Sequence, residues 1–144
     1  MTDLLEWERA YIAGFVDADG SIGMHMHSTG YNKIAVVTLT ATNKDEAVLR
    51  FIQSKFLGEV VKTRSTNPNA CYIFNYKLMG RDRLRYALES ILPYMIVKRD
   101  RACLALEYFE MCPPQQGTKL TEEQHEIRNG FIEKFRALNK VGVK

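Results

Sequence analysis

The sequence predicts an α+β fold with the order helix, two antiparallel strands, helix, two antiparallel strands and then further helices. Two kinds of observation predict this order. Asp3, Asn43 and Thr121 are each followed three residues later by Glu or Gln, the capping-box pattern that begins a helix. Between these starts lie two pairs of β-branched and aromatic segments with alternating apolar and polar positions, each pair joined by turn-forming residues.

The first helix is predicted over residues 4–18, with Asp3 and Glu6 as its capping box and Gly20 in a left-handed conformation past its end. Its bulky apolar stripe consists of Tyr11, Ile12, Phe15 and Val16. A second ridge is made of small residues, namely Ala10, Gly14 and Ala18, with Ala13 beside it. Small residues let another backbone come close, so this ridge indicates a partner helix. An ordinary core helix with incidental small residues gives the same pattern.

The remaining elements follow without a linker or low-complexity stretch. Strands are predicted over 21–27, 33–43, 59–64 and 71–79, with turns over 28–32 and 65–69. Helices are predicted over 43–56, 81–91, 98–111 and 121–138, the first of them ended by Gly58. Residues 1–144 therefore form one domain by length, with a core over 1–112 and a loop and C-terminal helix over 113–144.

Alternation along the strands separates two faces of the sheet, because every second side chain points the same way. The inward face takes Ala35, Val37, Leu39, Ala41, Tyr72, Phe74, Tyr76 and Leu78. The outward face is polar with a few β-branched residues and takes Ser21, Gly23, His25, His27, Ile34, Val36, Thr38, Thr40, Thr42, Cys71, Ile73, Asn75 and Lys77, matched by Lys62 and Arg64. Such groups suit the base edges of a DNA major groove, although a solvated sheet face is the simpler alternative.

Charge is distributed unevenly along the chain. Residues 1–20 carry one basic and five acidic residues, whereas residues 21–80 carry seven basic and three acidic residues. Three cysteines without C-x-x-C spacing indicate reduced thiols and an intracellular protein. No apolar run approaches the roughly twenty residues that span a bilayer, so a membrane is not an expected partner.

Asp17 and Asp19 stand at the end of the first helix, just before Gly20. A helix C-terminus already carries about half a negative charge, so acids there are disfavoured by about 0.3–1 kcal/mol each. The pair therefore predicts a cation at this point. The spacing does not fit an EF-hand, which needs an acid where Ser28 stands, and His25 with His27 lacks a suitably spaced third zinc ligand.

The segment Ile12-Ala13-Gly14-Phe15-Val16-Asp17-Ala18-Asp19-Gly20 resembles the signature of the LAGLIDADG homing endonucleases, with apolar-for-apolar changes at three positions. Leu92-Pro93-Tyr94 and Val97-Lys98 downstream extend the resemblance. It implies the homing-endonuclease fold, an αββαββα core with a saddle-shaped antiparallel sheet. Since the motif occurs once, the chain resembles the homodimeric branch.

The resemblance also implies roles for particular residues. Asp19 would be the essential metal ligand, with the carbonyl of Ala18 beside it, and Lys98 and Asn43 would complete the catalytic set. Asn43 is equally explained as a helix N-cap. Arg50 and Lys55 are weak candidates for a second basic residue. The dimer interface would comprise Ala10, Ala13, Gly14, Asp17 and Ala18, and Asp17 could instead tie up backbone donors. The expected DNA-contacting set adds Lys33 to the outward strand residues and omits Gly23 and Cys71.

By the same resemblance, the expected function is site-specific cleavage of a long palindromic or nearly palindromic double-stranded DNA target by metal-dependent phosphodiester hydrolysis. Mg²⁺ is the expected cofactor, with Mn²⁺ as a substitute and Ca²⁺ supporting binding without cleavage. The expected setting is an intron- or intein-borne enzyme acting at intracellular DNA. An RNA-splicing maturase that binds intron RNA and a catalytically inactive DNA-binding regulator remain alternatives.

Overall fold

The structure, a computed structural model, describes residues 3–29, 32–64, 66, 68–69, 72–114 and 120–140, with 28, 29, 32 and 33 described by their backbone alone. Its elements are α1 (Glu6–Asp19), β1 (Gly20–Thr29), β2 (Asn32–Asn43), α2 (Glu46–Phe56), β3 (Glu59–Arg64), β4 (Tyr72–Leu78), α3 (Arg81–Ile91), a 3-10 turn (Leu92–Tyr94), α4 (Arg99–Met111) and α5 (Glu122–Asn139). The predicted α+β order is confirmed. Parts of both predicted turns (30, 31, 65 and 67) and Cys71 lie outside the described residues.

The four strands form one antiparallel sheet in the order β1-β2-β4-β3. β2 pairs with β1 from Asn32 to Ala41 but with β4 only from Leu39 to Asn43. The β1–β2 hairpin therefore extends beyond the end of β4. None of the described helices combines the length and hydropathy that a membrane span requires.

One face of the sheet and the helices above it share a single hydrophobic core. Ile12 and Val16 of α1 are buried against strand residues such as Leu39 and Tyr76. Phe131, Ile132 and Phe135 bring α5 into the same core. The sheet is thus covered by helices on one side, and its other face carries exposed side chains such as His25 and Lys77.

Two helix starts differ from the prediction by a few residues. α1 begins at Glu6, and it is the Glu8 carboxylate, rather than that of Glu6, that accepts a hydrogen bond from the Leu5 N–H at 2.9 Å. Glu8 also pairs with Lys55 of α2, and these two contacts, Lys55 first, lower the pKa of Glu8. At α2 the N-cap is Asp45 rather than Asn43. The capping box at the start of α5, between Thr121 and Gln124, is confirmed.

Gly20 ends α1 for a steric reason rather than a conformational one. Its φ of −91° is an extended conformation, so the prediction of a left-handed conformation at this position is wrong. A Cβ at this position would lie 2.9 Å from both Cα and O of Val16. β1 begins so close to the last turn of α1 that only glycine, which has no Cβ, fits at position 20.

We expect Gly20→Ala to destabilise the fold by about 1–3 kcal/mol, the usual cost of overpacking a rigid contact, measured by urea unfolding at a fixed protein concentration. Gly130→Ala is the matched control, because a Cβ there meets nothing within 4 Å and alanine stabilises a helix interior by about 0.5–1 kcal/mol. Equal stability of Gly20→Ala and the parent chain would contradict the steric argument.

Candidate functional site

The cation at the C-terminus of α1 is supplied by the chain itself. The Lys98 ammonium donates to the carbonyl oxygens of Val16 (3.0 Å), which also accepts the Gly20 N–H, and of Asp17 (2.7 Å) in the last turn of the helix. Positive charge at a helix C-terminus is favourable. Lys98 therefore holds the helix end that carries Asp19, which makes it a positioning residue.

Asp17 is occupied within its own chain. Its two carboxylate oxygens accept hydrogen bonds from the backbone N–H groups of Ile96 (2.7 Å) and Lys98 (3.0 Å). Burial, the largest single influence, opposes ionisation, but the N–H donors of Ile96, Lys98 and Val97 and the charge of Lys98 together lower the pKa of Asp17. The sequence suggested two roles for Asp17, a contact with a partner helix and the capture of backbone donors, and these hydrogen bonds are the second.

Asp19 remains available for chemistry. It is exposed at the last turn of α1, and its carboxylate makes no hydrogen bond or ion pair with any residue that the structure describes. The neighbouring Ala18 is exposed as well. A carboxylate and a backbone carbonyl are hard oxygen donors that suit Mg²⁺, which retains several waters. Within the described residues no group of three or more His, Cys, Asp or Glu is placed to hold a metal ion.

The other predicted catalytic residues are placed less directly. Asn43 ends β2, and its side-chain oxygen accepts from the Asp45 N–H at 2.8 Å, so its NH₂ group is the part left to orient a water or phosphate oxygen. Lys55 pairs with Glu8, eleven residues and so about 16 Å along α1 from Asp19. Arg50 pairs with Glu46 on α2 at 2.8 Å. Both weak candidates for a second basic residue thus pair with acids of their own chain.

Arg101 is a site-proximal residue that sequence reasoning missed. Its guanidinium donates to Asn139 Oδ1 (2.8 Å) and to the carbonyl of Leu138 (2.7 Å), and Asn139 in turn donates to the carbonyl of Ile22 in β1 at 3.3 Å. These bonds join α4, α5 and the start of β1. The pKa of Lys98 is lowered by burial and then by the charge of Arg101, whereas Asp17 and Asp19 act in the opposite direction.

The small-residue ridge lies on the outer face of α1. Ala10, Gly14 and Ala18 are exposed, and a Cβ on Gly14 would meet nothing within 4 Å. Ala13 is fully buried in the chain's own core, so its assignment to the interface is wrong. Tyr11, expected in the core, is 51% exposed and lies edge-on to Phe51 at 5.6 Å, because the helix is rotated so that its ridge faces outward.

The uncovered face of the sheet carries most of the predicted outward residues. Register places Ser21 opposite Thr40, His25 opposite Val36 and Thr42 opposite Asn75, so all share this face. The same holds for His27, Ile34, Ile73 and Lys77. Thr38 lies on it too but is only 6% exposed, so neighbouring side chains limit its access. The side chain of Lys33 lies outside the described residues.

Lys62 and Arg64 are on the opposite face from the one predicted. Lys62 pairs directly with Phe74 and Arg64 with Tyr72, and directly paired residues in an antiparallel ladder point to the same side. The Lys62 ammonium accordingly lies 4.0 Å from the centre of the Tyr72 ring. The β3 residues on the uncovered face are instead Glu59, Val61 and Thr63. The sequence of β3 alone does not show which of its side chains face the core, because Val60 and Val61 are adjacent and either could point inward. The register with β4 determines which one does.

A cavity of about 340 Å³ lies elsewhere, between β2, the start of α3 and α4. Arg81 and Arg128 line it and donate to the carbonyls of Phe109 and Pro113, each at 3.0 Å. Its described lining contains no carboxylate, histidine or cysteine. The described lining therefore offers no carboxylate, imidazole or thiolate ligand to a metal ion.

We expect Asp17→Asn to destabilise the fold by about 1–2 kcal/mol at pH 7, because an amide oxygen cannot accept from both backbone N–H groups and one of these partly exposed donors loses its bond to a charged acceptor. The pKa of Asp17 is lowered on folding, so its contribution is present above its unfolded value near 3.9 and is lost as pH falls through the folded value. The measurement is urea unfolding of both chains from pH 7 to pH 3.

The stability difference should stay level down to about pH 5 and shrink below about pH 4. Glu89→Gln, at an exposed acid of α3, should change stability by no more than about 0.5 kcal/mol. A difference that persists unchanged at the acid end of the series would refute the role assigned to the Asp17 carboxylate.

Comparison with solved structures places this geometry among known folds. The homing endonuclease I-CvuI, crystallised with the I-CreI target and Mg and with the DNA not cleaved, is 26% identical, with a TM-score of 0.75 over 92% of this chain and 82% of that chain. The homing endonuclease I-TnaI matches at 16% identity and a TM-score of 0.68 over 96% of both chains. I-GzeII, a LAGLIDADG homing endonuclease in complex with its DNA target, matches at 16% identity and a TM-score of 0.62 over 90% of this chain and 43% of that chain.

No curated protein sequence matches the chain. The family model described as LAGLIDADG endonuclease matches residues 12–95, which is more than half of the 144 residues. This match begins inside α1 at the first residue of the motif and runs through the whole sheet to Met95, just before the segment whose N–H groups donate to Asp17. The chain belongs to the LAGLIDADG endonuclease family.

Proposed function

We propose that the protein is a site-specific DNA endonuclease that hydrolyses both strands of a palindromic or nearly palindromic duplex as a homodimer with Mg²⁺. The observation that carries the proposal is the contrast between the two acids of the motif. The Asp17 carboxylate accepts hydrogen bonds from two backbone N–H groups, whereas the Asp19 carboxylate is exposed and free of partners among the described residues. A chain that used both acids for folding would leave no free carboxylate at this point.

The proposed chemistry assigns each residue a defined task. Asp19 and the Ala18 carbonyl would hold Mg²⁺, which when bound polarises a phosphate and lowers the pKa of an attacking water. Asn43 donates through its free NH₂ group and orients a water or phosphate oxygen. Lys98 and Asp17 fix the end of α1 from opposite sides, so that the Asp19 carboxylate is presented without reorganisation.

A second copy of the chain supplies the rest of the site. The ridge of Ala10, Gly14 and Ala18 is exposed, and large apolar side chains flank it at both ends: Trp7 is 60% exposed at one end, and Ile96 (84%) and Val97 (66%) are exposed at the other. Two ridges related by a two-fold axis are self-complementary. Pairing them would bring two Asp19 residues together, one for each DNA strand, and would impose the two-fold symmetry on the target.

The Asp19→Asn variant tests the chemistry. We expect it to bind duplex DNA as well as the parent chain does, but to cleave more than about a hundredfold more slowly, a loss of about 2.7 kcal/mol of transition-state stabilisation. The measurement is cleavage of a randomised duplex library with Mg²⁺, followed by rates on the enriched target. Asp82→Asn, the same change at an exposed residue of α3, should cleave normally. Efficient cutting by Asp19→Asn would refute the ligand assignment.

The Gly14→Leu variant tests the dimer. A side chain at this position meets no atom of its own chain within 4 Å, so the protomer should fold, but the ridge of a partner could no longer approach. Light scattering should give the mass of a dimer for the parent chain and of a monomer for the variant. Gly130→Leu is the matched control, since that helix position is equally unobstructed. A dimeric Gly14→Leu, or a monomeric parent, would exclude pairing through this ridge.

A further inference from the structure

A line of side-chain hydrogen bonds crosses three strands on the uncovered face of the sheet. Thr42 Oγ1 of β2 donates to Asn75 Oδ1 of β4 at 2.8 Å. Asn75 Nδ2 donates in turn to Thr63 Oγ1 of β3, also at 2.8 Å. Thr42 stands directly opposite Asn75, and Thr63 is its diagonal neighbour. Thr42 and Thr63 are exposed and Asn75 is half-buried between them.

The direction of these bonds fixes what each hydroxyl can offer to a molecule lying on the face. A threonine hydroxyl has one hydrogen to donate and two lone pairs to accept with. Thr42 donates its one hydroxyl hydrogen to Asn75, so toward a ligand it can only accept. Thr63 spends a lone pair, so its hydrogen is free and it can donate. If the amide turned over, both bonds would reverse together, and the two hydroxyls would still differ in polarity.

We propose that Asn75 acts as a polarity switch for DNA readout, making Thr63 a hydrogen-bond donor and Thr42 an acceptor toward the base edges above them. This inference rests on the proposed function, because it requires duplex DNA on this face. A donor selects hydrogen-bond acceptors on the base edges, namely those of guanine, thymine O4 and adenine N7. An acceptor selects the amino groups of cytosine or adenine. Asn75 therefore sets the base preference at the positions that Thr42 and Thr63 contact.

The Asn75→Asp variant reverses one half of this arrangement. A carboxylate of the same shape can only accept, so both hydroxyls must donate to it in charge-assisted bonds. Thr42 keeps its bond direction and remains an acceptor toward DNA. Thr63, which in the parent chain can donate as well as accept through its second lone pair, loses its free hydrogen and can then only accept. One substitution at Asn75 should thus invert the preference at the base pair read by Thr63 and leave the base pair read by Thr42 unchanged.

The experiment is selection from a randomised duplex library, scored as base preference at each position of the enriched target. Thr63→Val and Thr42→Val first identify the base pair that each hydroxyl reads, as the position whose preference each variant relaxes. At the Thr63 position, Asn75→Asp should then shift preference from acceptor-bearing to amino-bearing edges by about fivefold, less than a full bidentate pair supplies. The added negative charge lowers affinity uniformly, so preferences are compared within each profile.

Three controls separate this inference from the function on which it rests. In the double variant Asn75→Asp/Thr63→Val the shift should vanish, because no hydroxyl remains to be switched. Lys77→Ala, on the same face but outside the hydrogen-bonded line, should weaken binding without moving preference at the Thr63 position. Circular dichroism confirms that each variant is folded. If the parent chain enriches a target but Asn75→Asp leaves the Thr63 position unchanged, or moves the Thr42 position, the switch is refuted and the endonuclease stands. If the parent enriches nothing, the proposed function fails, and the inference falls with it.

Discussion

The contact between the end of α1 and the segment before α4 is the constraint on which the rest of the site depends. Asp17 accepts two backbone hydrogen bonds from this segment, and Lys98 returns two side-chain bonds to the last carbonyls of the helix. The two chain segments lie about eighty residues apart in sequence and are held by four polar bonds in a half-buried setting. Such bonds are costly to leave unmade once their groups are buried, so the helix end has one position.

This contact resolves the electrostatic conflict at the motif. Two aspartates at a helix C-terminus oppose the helix dipole, and an acid there is stable only if positive or hydrogen-bond-donating groups surround it. Lys98 and the backbone N–H groups of residues 96–98 provide them for Asp17. Asp19, two residues beyond the last carbonyl that Lys98 contacts, receives no such partner among the described residues. The same helix end therefore has one acid committed to folding and one acid presented for chemistry.

Glycine has two different uses within the motif. Gly20 lets β1 leave the helix so closely that no Cβ fits beside Val16. Gly14 has open space in its own chain, so folding of the protomer does not require it. Its removal of a side chain from the outer face of α1 has a physical purpose only if another backbone approaches there. Gly20 thus serves the fold of one protomer, and Gly14 leaves the outer face of α1 open for the assembly proposed above.

The sequence by itself determined the α+β order, most element boundaries and the family, because capping residues, alternation and a short motif are local signals. It also singled out Asp19, Lys98 and the outward residues of β1, β2 and β4. Only the tertiary structure decided which acid of the motif is free, since the donors that occupy Asp17 come from residues 96–98. The faces of β3 were likewise decided by register with β4, which moved Lys62 and Arg64 away from the uncovered face and brought Thr63 onto it. Ala13, expected at the interface, is buried, and Tyr11, expected in the core, is exposed. The spacing of residues defines the faces of a helix but not which face turns toward the core. These features depend on contacts between residues distant in the chain, and periodicity within one segment carries no information about them.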